Sequence, residues 1–178
     1  MFMLNYATRF PPGAPVELLE NNLVRKKFTT SSPDYMNVLV KLFNYLSLNP
    51  DPKVVPFYNF QFSTTRNEYP YPYDRYIYSY QYDMLRCGLL PKEERDFIEW
   101  VGNRHEADGI DCLHHHEVNT KKHSFPKLFK FLEEVITENR YWDIHSGNIM
   151  FNEDWDYVLI DLEGFVSEHY PSKNLWLL

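Results

Sequence analysis

Two short apolar runs late in the chain, Ile149 to Phe151 and Tyr157 to Ile160, enclose a polar turn and are bracketed by hydrogen-bonding side chains. Runs this short between turn residues read as strands of a β-hairpin. Before the first run stands Tyr141-Trp-Asp-Ile-His-Ser-Gly-Asn148, and after the second Asp161-Leu-Glu-Gly-Phe165. Symmetric pairing about Asp154-Trp155 predicts that Asn148 faces Asp161, and directly opposed residues hold their Cα atoms about 4.5–5.5 Å apart. An amide oxygen and a carboxylate then meet at one end of the hairpin. Hard oxygen donors suit Mg²⁺, which keeps several waters and completes its shell with one or two protein oxygens and substrate phosphates. Asp143 lies on the loop before Asn148, placed to take the proton of an incoming hydroxyl or to orient it for attack on a γ-phosphate.

The stretch before this loop predicts an amphipathic helix. Leu128, Phe131, Leu132 and Val135 recur at helical spacing, Phe125, Phe129 and Ile136 widen the stripe, and Ser124 is the expected N-cap. An Asp-x4-Asn spacing alone recurs by chance. The series of amphipathic helix, Asp-x4-Asn, strand, turn, strand and Asp-x-x-Gly is far more demanding.

The first half predicts strands around one helix. Phe2 to Thr8 is an expected strand, followed by a Pro/Gly turn from Arg9 to Ala14. Val16 to Glu20 and Leu23 to Phe28 flank Asn21-Asn22, a pair that tolerates the positive φ of a tight hairpin. Ser32-Pro33-Asp34 reads as a helix start, with the helix running to about Leu48. Val54 to Phe62 is expected to place Tyr58, Phe60 and Phe62 on one face. Arg75 to Tyr82 does the same for Tyr76, Tyr78, Tyr80 and Tyr82, an aromatic face meant for the core. The segment Tyr69-Pro-Tyr-Pro-Tyr73 reads as a stiff extended loop. A helix from Pro91 to Asn103 follows, then a polar loop over 104–123 that contains His105, His114, His115, His116 and His123. Adjacent histidines point in different directions and no i, i+4 spacing recurs, so the cluster does not read as a metal centre.

Composition limits the function classes. The 178 residues have a net charge of −7. Residues 1–48 hold five basic and three acidic side chains, a net of +2, leaving −9 for the rest. An acidic body lacks the clustered cations that phosphate backbones require, so nucleic acid is not an expected partner. The basic run Arg25-Lys26-Lys27 suits a small polyanion such as ATP. Neither a membrane-length apolar run nor a signal-peptide pattern occurs, and Cys87 and Cys112 form no metal-type pair. The reading is a soluble cytoplasmic protein.

The segment Asp143-Ile-His-Ser-Gly-Asn148 resembles the catalytic loop of protein-kinase-like phosphotransferases, and Asp161-Leu-Glu-Gly164 resembles their metal-binding Asp-Phe-Gly motif with one residue more. The run Asp-Ile-His-Ser-Gly-Asn-Ile-Met-Phe is most similar to the small serine/threonine kinases of T7-like tailed phages. The resemblance implies an α+β two-lobed fold. A five-stranded antiparallel amino-terminal lobe with one helix would span residues 1–85, and a reduced helical catalytic lobe, given an end at Leu178, residues 86–178. It also implies Asp143 as catalytic base, Asn148 and Asp161 as Mg²⁺ ligands, ATP as cosubstrate and host proteins in the bacterial cytoplasm as substrates or targets. Leu23-Val-Arg-Lys26 takes the place of the lysine-bearing strand, and alternation puts Val24, Lys26 and Phe28 on one face, which favours Lys26 over Lys27. Tyr82-Asp83-Met84-Leu85 would be the hinge whose backbone holds the adenine. His145 stands where typical protein kinases have lysine and small-molecule kinases often have histidine, so a small hydroxylated acceptor is a second reading. The predicted helix at 33–48 has no glutamate to hold the lysine, and no glycine-rich loop is visible. These absences favour a third reading, a pseudokinase that binds a host protein without catalysis.

Overall fold

The computed structural model describes residues 16–66 and 76–166. The expected strand at 2–8, the turn at 9–14 and the Tyr/Pro loop at 69–73 lie outside the described residues. The first half is a four-stranded antiparallel sheet in the order β1-β2-β4-β3, with β1 at Val16–Leu18, β2 at Leu23–Thr30, β3 at Phe57–Arg66 and β4 at Tyr76–Leu85. One helix, α1 (Pro33–Leu48), connects β2 to β3. The second half contains α2 (Lys92–Asp108), a 3₁₀ turn (Gly109–His114), α3 (His116–Lys121), α4 (Pro126–Thr137) and a hairpin of β5 (Ile149–Phe151) and β6 (Tyr157–Leu159). Among the described residues no helix is long and apolar enough to cross a membrane.

Local chemistry accounts for most boundaries. Asn21 and Asn22 both adopt positive φ in the β1–β2 turn, where the short amide side chain lowers the left-handed penalty. Ser32 accepts a hydrogen bond from the Tyr35 N–H at 3.1 Å and Pro33 opens α1. On β4, Tyr80 and Tyr82 are buried whereas Tyr76 is half exposed, so the tyrosine face serves the core only at its inner end.

The expected single aromatic face of β3 is corrected by a bulge. The register shifts between Tyr58 and Gln61, where Asn59 takes a φ of 52°. The extra residue brings Phe57 and Phe60 together on Tyr82 and turns Tyr58 to the other face, opposite Asp83, while Phe62 keeps the face of Phe60, opposite Tyr80, and is exposed. Residues 104–123 are also not a loop. The helix continues through His105 to Asp108, the 3₁₀ turn ends at His114, and His115 caps α3, which begins at His116, because Cys112, Leu113 and Val118 supply buried contacts. Ser124 does not cap α4; Phe125 holds the N-cap position and Pro126 begins the helix. The expected stripe of Leu128, Phe131, Leu132 and Val135 is buried.

A single hydrophobic core joins both halves. Val54 pairs with Leu159 and Gly88 with Phe151, so the segment before β3 and the linker after β4 are stitched to the hairpin. At Gly102 on α2, a Cβ would lie 1.8 Å from the Ile144 carbonyl oxygen. That close approach seats the 143–148 loop on α2. Gly102→Ala is therefore expected to cost at least about 2 kcal/mol, since overpacking typically costs about 1–3 kcal/mol and here the obstacle is backbone. Denaturant titration checks this, and a loss under about 0.5 kcal/mol would contradict the packing.

Candidate functional site

The site forms where β2 and β4 meet the loops around the hairpin. Lys26 leaves β2 on the inner face with Val24 and Phe28, and Lys27 points outward to pair with Glu17. The Lys26 ammonium meets the Asp161 carboxylate, and both residues are only 8% exposed. It also lies 3.5 Å from the Ile160 carbonyl oxygen. Burial at this level requires a partner for each charge.

Asp161 and Glu163 share one polar cluster with Tyr82. The Tyr82 hydroxyl donates to Glu163 Oε2 at 2.7 Å and lies 3.2 Å from Asp161 Oδ1. Burial and the neighbouring Asp161 carboxyl push Glu163 up to about 8. Burial also acts to raise Asp161, but the hydrogen bond with Glu163 and the Lys26 ammonium outweigh it and hold Asp161 below its ordinary value.

The 143–148 loop closes the other side. Asn148, 4% exposed, donates from its amide to Asp143 Oδ2 at 2.9 Å and to the Asp143 carbonyl at 3.1 Å. His145 Nδ1 accepts from the Gly147 N–H at 3.1 Å, which leaves Nε2 facing Asp143 Oδ2 at 3.5 Å. Glu99 on α2 accepts the Ser146 N–H at 2.8 Å, so Glu99 and Gly102 together position the loop. Tyr141 donates to the Asp161 carbonyl at 3.2 Å and Trp142 Nε1 to the Val166 carbonyl at 3.0 Å. Gly164 permits this contact, because a Cβ there would fall 2.0 Å from the Tyr141 ring.

The predicted hairpin register is off by one residue. Ile149 pairs with Leu159, and the Ile160 N–H donates to the Asn148 carbonyl at 3.0 Å. Asn148 therefore faces Ile160, not Asp161. The cause lies in the turn: Asn152 pairs with Asp156, and Trp155 adopts a φ of 64°, so three residues bridge the strands and the centre moves to Asp154. Asn148 and Asp161 remain at the same end of the hairpin.

The expected hinge, residues 82–85, lies at the end of β4, paired with β2 along its length and with β3 at Asp83 and Met84. Asp83 points to the opposite face from Lys26, where its carboxylate takes Arg25 at 2.7 and 3.0 Å and Asn59 at 2.9 Å. Leu85 lines a separate cavity of about 780 Å³ that includes neither Lys26 nor Asp161. Met84 does wall the cleft beside Lys26, together with Val16, Val24, Met150 and Ile160. That cleft is about 160 Å³. Whole-ligand pockets usually run to roughly 300–1,000 Å³, so it has room for a flat heterocycle with the rest of a ligand outside.

Among the described residues no group of three or more His, Cys, Asp or Glu side chains is arranged to hold a metal. The Asp161 carboxylate and the Asn148 amide oxygen, both hard donors at one end of the hairpin, nevertheless fit Mg²⁺, which needs few protein oxygens when phosphates and water complete its shell. Comparison with family models, curated proteins and solved structures finds no match for the chain. Sequence reasoning missed two participants: Glu163 stands in the sequence as an acid in an apolar run, and Tyr82 reads there as core and as the start of the hinge. On the opposite face, the Arg25–Asp83 pair spans 58 residues with no local signal.

The Arg25 guanidinium holds Asp83 below its ordinary value of 3.8 against the opposing effect of burial, with Asn59 assisting. A depressed carboxylate stabilises the fold above that ordinary value and loses the contribution as pH falls through its folded value. Asp83→Asn should cost about 2 kcal/mol near pH 7, less than a fully buried pair because Arg25 is part-exposed. The gap to the native chain should narrow as pH falls below that ordinary value of 3.8. Urea melts at several pH values measure this, and a pH-independent gap would show that the pair does not act through charge.

Proposed function

We propose that the chain is an ATP- and Mg²⁺-dependent phosphotransferase of protein-kinase-like two-lobed design that phosphorylates serine or threonine hydroxyls of bacterial host proteins. The observation that carries this reading is the meeting of Lys26 and Asp161 at the edge of an apolar cleft walled by Val24, Met84, Met150 and Ile160. A base in that cleft directs its phosphates toward the ammonium. The order of sheet with one helix, linker, helices and hairpin agrees with the plan the resemblance implies.

Asp143 is the group that takes the acceptor proton, held by the Asn148 amide and reachable from solvent at 35% side-chain exposure. Asn148 and Asp161, with Glu163 beside them, would hold the metal. The chemistry such a metal would supply is neutralisation of charge on the transferred phosphoryl oxygens. A small hydroxylated acceptor is a second reading, favoured by His145 lying 3.5 Å from Asp143, where it can shape a compact acceptor site.

ATP should raise the melting temperature only when Mg²⁺ is present. A ligand at about 100 times its Kd adds about 2.7 kcal/mol. For a chain of this size that corresponds to about 5–10 °C, and Asp161→Asn should remove most of it. No shift in millimolar Mg²⁺ would sink the nucleotide-binding reading. In a bacterial lysate supplied with γ-labelled ATP, label should enter protein rather than the small-molecule fraction. Asp143→Ala should lower transfer by about 10²–10⁴ while changing stability by no more than about 1 kcal/mol. Unchanged transfer in that variant would displace Asp143 as the base.

A further inference from the structure

The lysine of this site lacks the partner that a helix would ordinarily offer. The only acid in α1 is Asp34, in its first turn, and Lys26 is held from the other side by Asp161. Something must therefore set the position of Asp161 relative to the sheet. Lys26 and Tyr82 are direct partners across the β2–β4 register, so both side chains leave the same face. The Tyr82 side chain is wholly buried. Its ring stacks at 6.4 Å on Phe28 and 6.5 Å on Phe60 and meets Phe57 edge-on at 5.2 Å. A ring clamped on these sides brings its hydroxyl to one place.

A phenol oxygen has one hydrogen to give and lone pairs to accept with. Here it donates to Glu163 Oε2 at 2.7 Å, lies 3.2 Å from the same Asp161 oxygen that meets Lys26, and accepts the Leu162 N–H at 3.3 Å. Burial, with Glu163 and Asp161 beside it, raises Tyr82 well above the ordinary phenol value, so the proton stays on the oxygen. One hydroxyl thus touches three consecutive residues, 161 to 163, from the neighbouring sheet. We propose that Tyr82 is a positioning residue that fixes the 161–163 segment against Lys26, so that the sheet supplies the registration that α1 does not. The inference deepens the phosphotransferase reading and rests on it for its bearing on metal and nucleotide.

Tyr82→Phe removes one oxygen and keeps the ring. Two measurements on the full chain decide the matter, with Phe60→Leu as a control that loosens the same aromatic packing without touching the carboxylates. The first needs no ligand: the rate at which an amine-reactive anhydride modifies Lys26, read by mass spectrometry against Lys27. Tyr82→Phe should raise the Lys26 rate about tenfold and leave Lys27 unchanged, whereas Phe60→Leu should lower the melting temperature without this selective effect. The second is the Mg²⁺ concentration giving half of the ATP-dependent melting shift. It should rise about 10–100-fold in Tyr82→Phe, the usual effect of removing a group that orients a metal ligand, and stay within about threefold in Phe60→Leu. An unchanged Lys26 rate in Tyr82→Phe, or equal effects in both variants, overturns the positioning role. Absence of any ATP-dependent shift in the native chain overturns the phosphotransferase reading instead, and the labelling rates still decide whether Tyr82 holds the segment.

Discussion

A buried ammonium and a buried carboxylate are tolerable only together, and the pair Lys26–Asp161 joins residues 135 positions apart in the chain. Either charge alone would be left without water or a counter-charge, so the two halves of the molecule must come together in one arrangement for both to be satisfied. The surrounding structure serves that requirement. Phe28, Phe57 and Phe60 clamp the Tyr82 ring, and Tyr82 in turn reaches Asp161 and Glu163. Glu163 bears the consequence: a second acid beside Asp161, in a site with one ammonium, holds its proton to about 8.

The loop bearing Asp143 is positioned by close backbone approaches. Gly102 lets α2 touch the Ile144 carbonyl, Glu99 one turn away takes the Ser146 N–H, and Gly164 leaves space for Tyr141. These contacts come from two separate segments, α2 and the turn after β6, and converge on one loop. A phosphotransferase of the kind proposed needs such a loop held to small tolerances, because the hydroxyl, the base and the phosphate must be aligned at once. On the opposite face of the sheet, Arg25 and Asp83 neutralise each other, which lets Arg25 and Lys26 be neighbours in sequence and still face different surroundings.

Much of the secondary structure was legible because its signals are local. The Ser32-Pro33 start of α1, the Asn21-Asn22 turn and the apolar stripe of α4 each act within one or two turns of chain, and all stand where the residues placed them. The errors share a different cause. Asn59 and Trp155 adopt left-handed backbone conformations that their types do not demand. Each inserts one residue into a ladder, and with a side-chain period of two a single insertion exchanges faces or shifts pairing. The 104–123 segment looked like loop because its polar residues outnumber its apolar ones, yet burial of Cys112, Leu113 and Val118 is enough to order it.

The sequence by itself determined which residues are candidates for the site, since Asp143, Asn148, Asp161 and the inward face of Lys26 follow from spacing and strand alternation. It determined the mixed α+β character and the core face of α4 for the same reason, that periodicity is a property of neighbours along the chain. Only the tertiary structure decided what meets Lys26. Asp161 reaches it across 135 residues, and Tyr82 and Glu163 join the site through contacts spanning 79 to 81 residues. Such partnerships are set by the need to neutralise and hydrogen-bond whatever folding buries. That need arises only once distant segments have excluded water from the space between them.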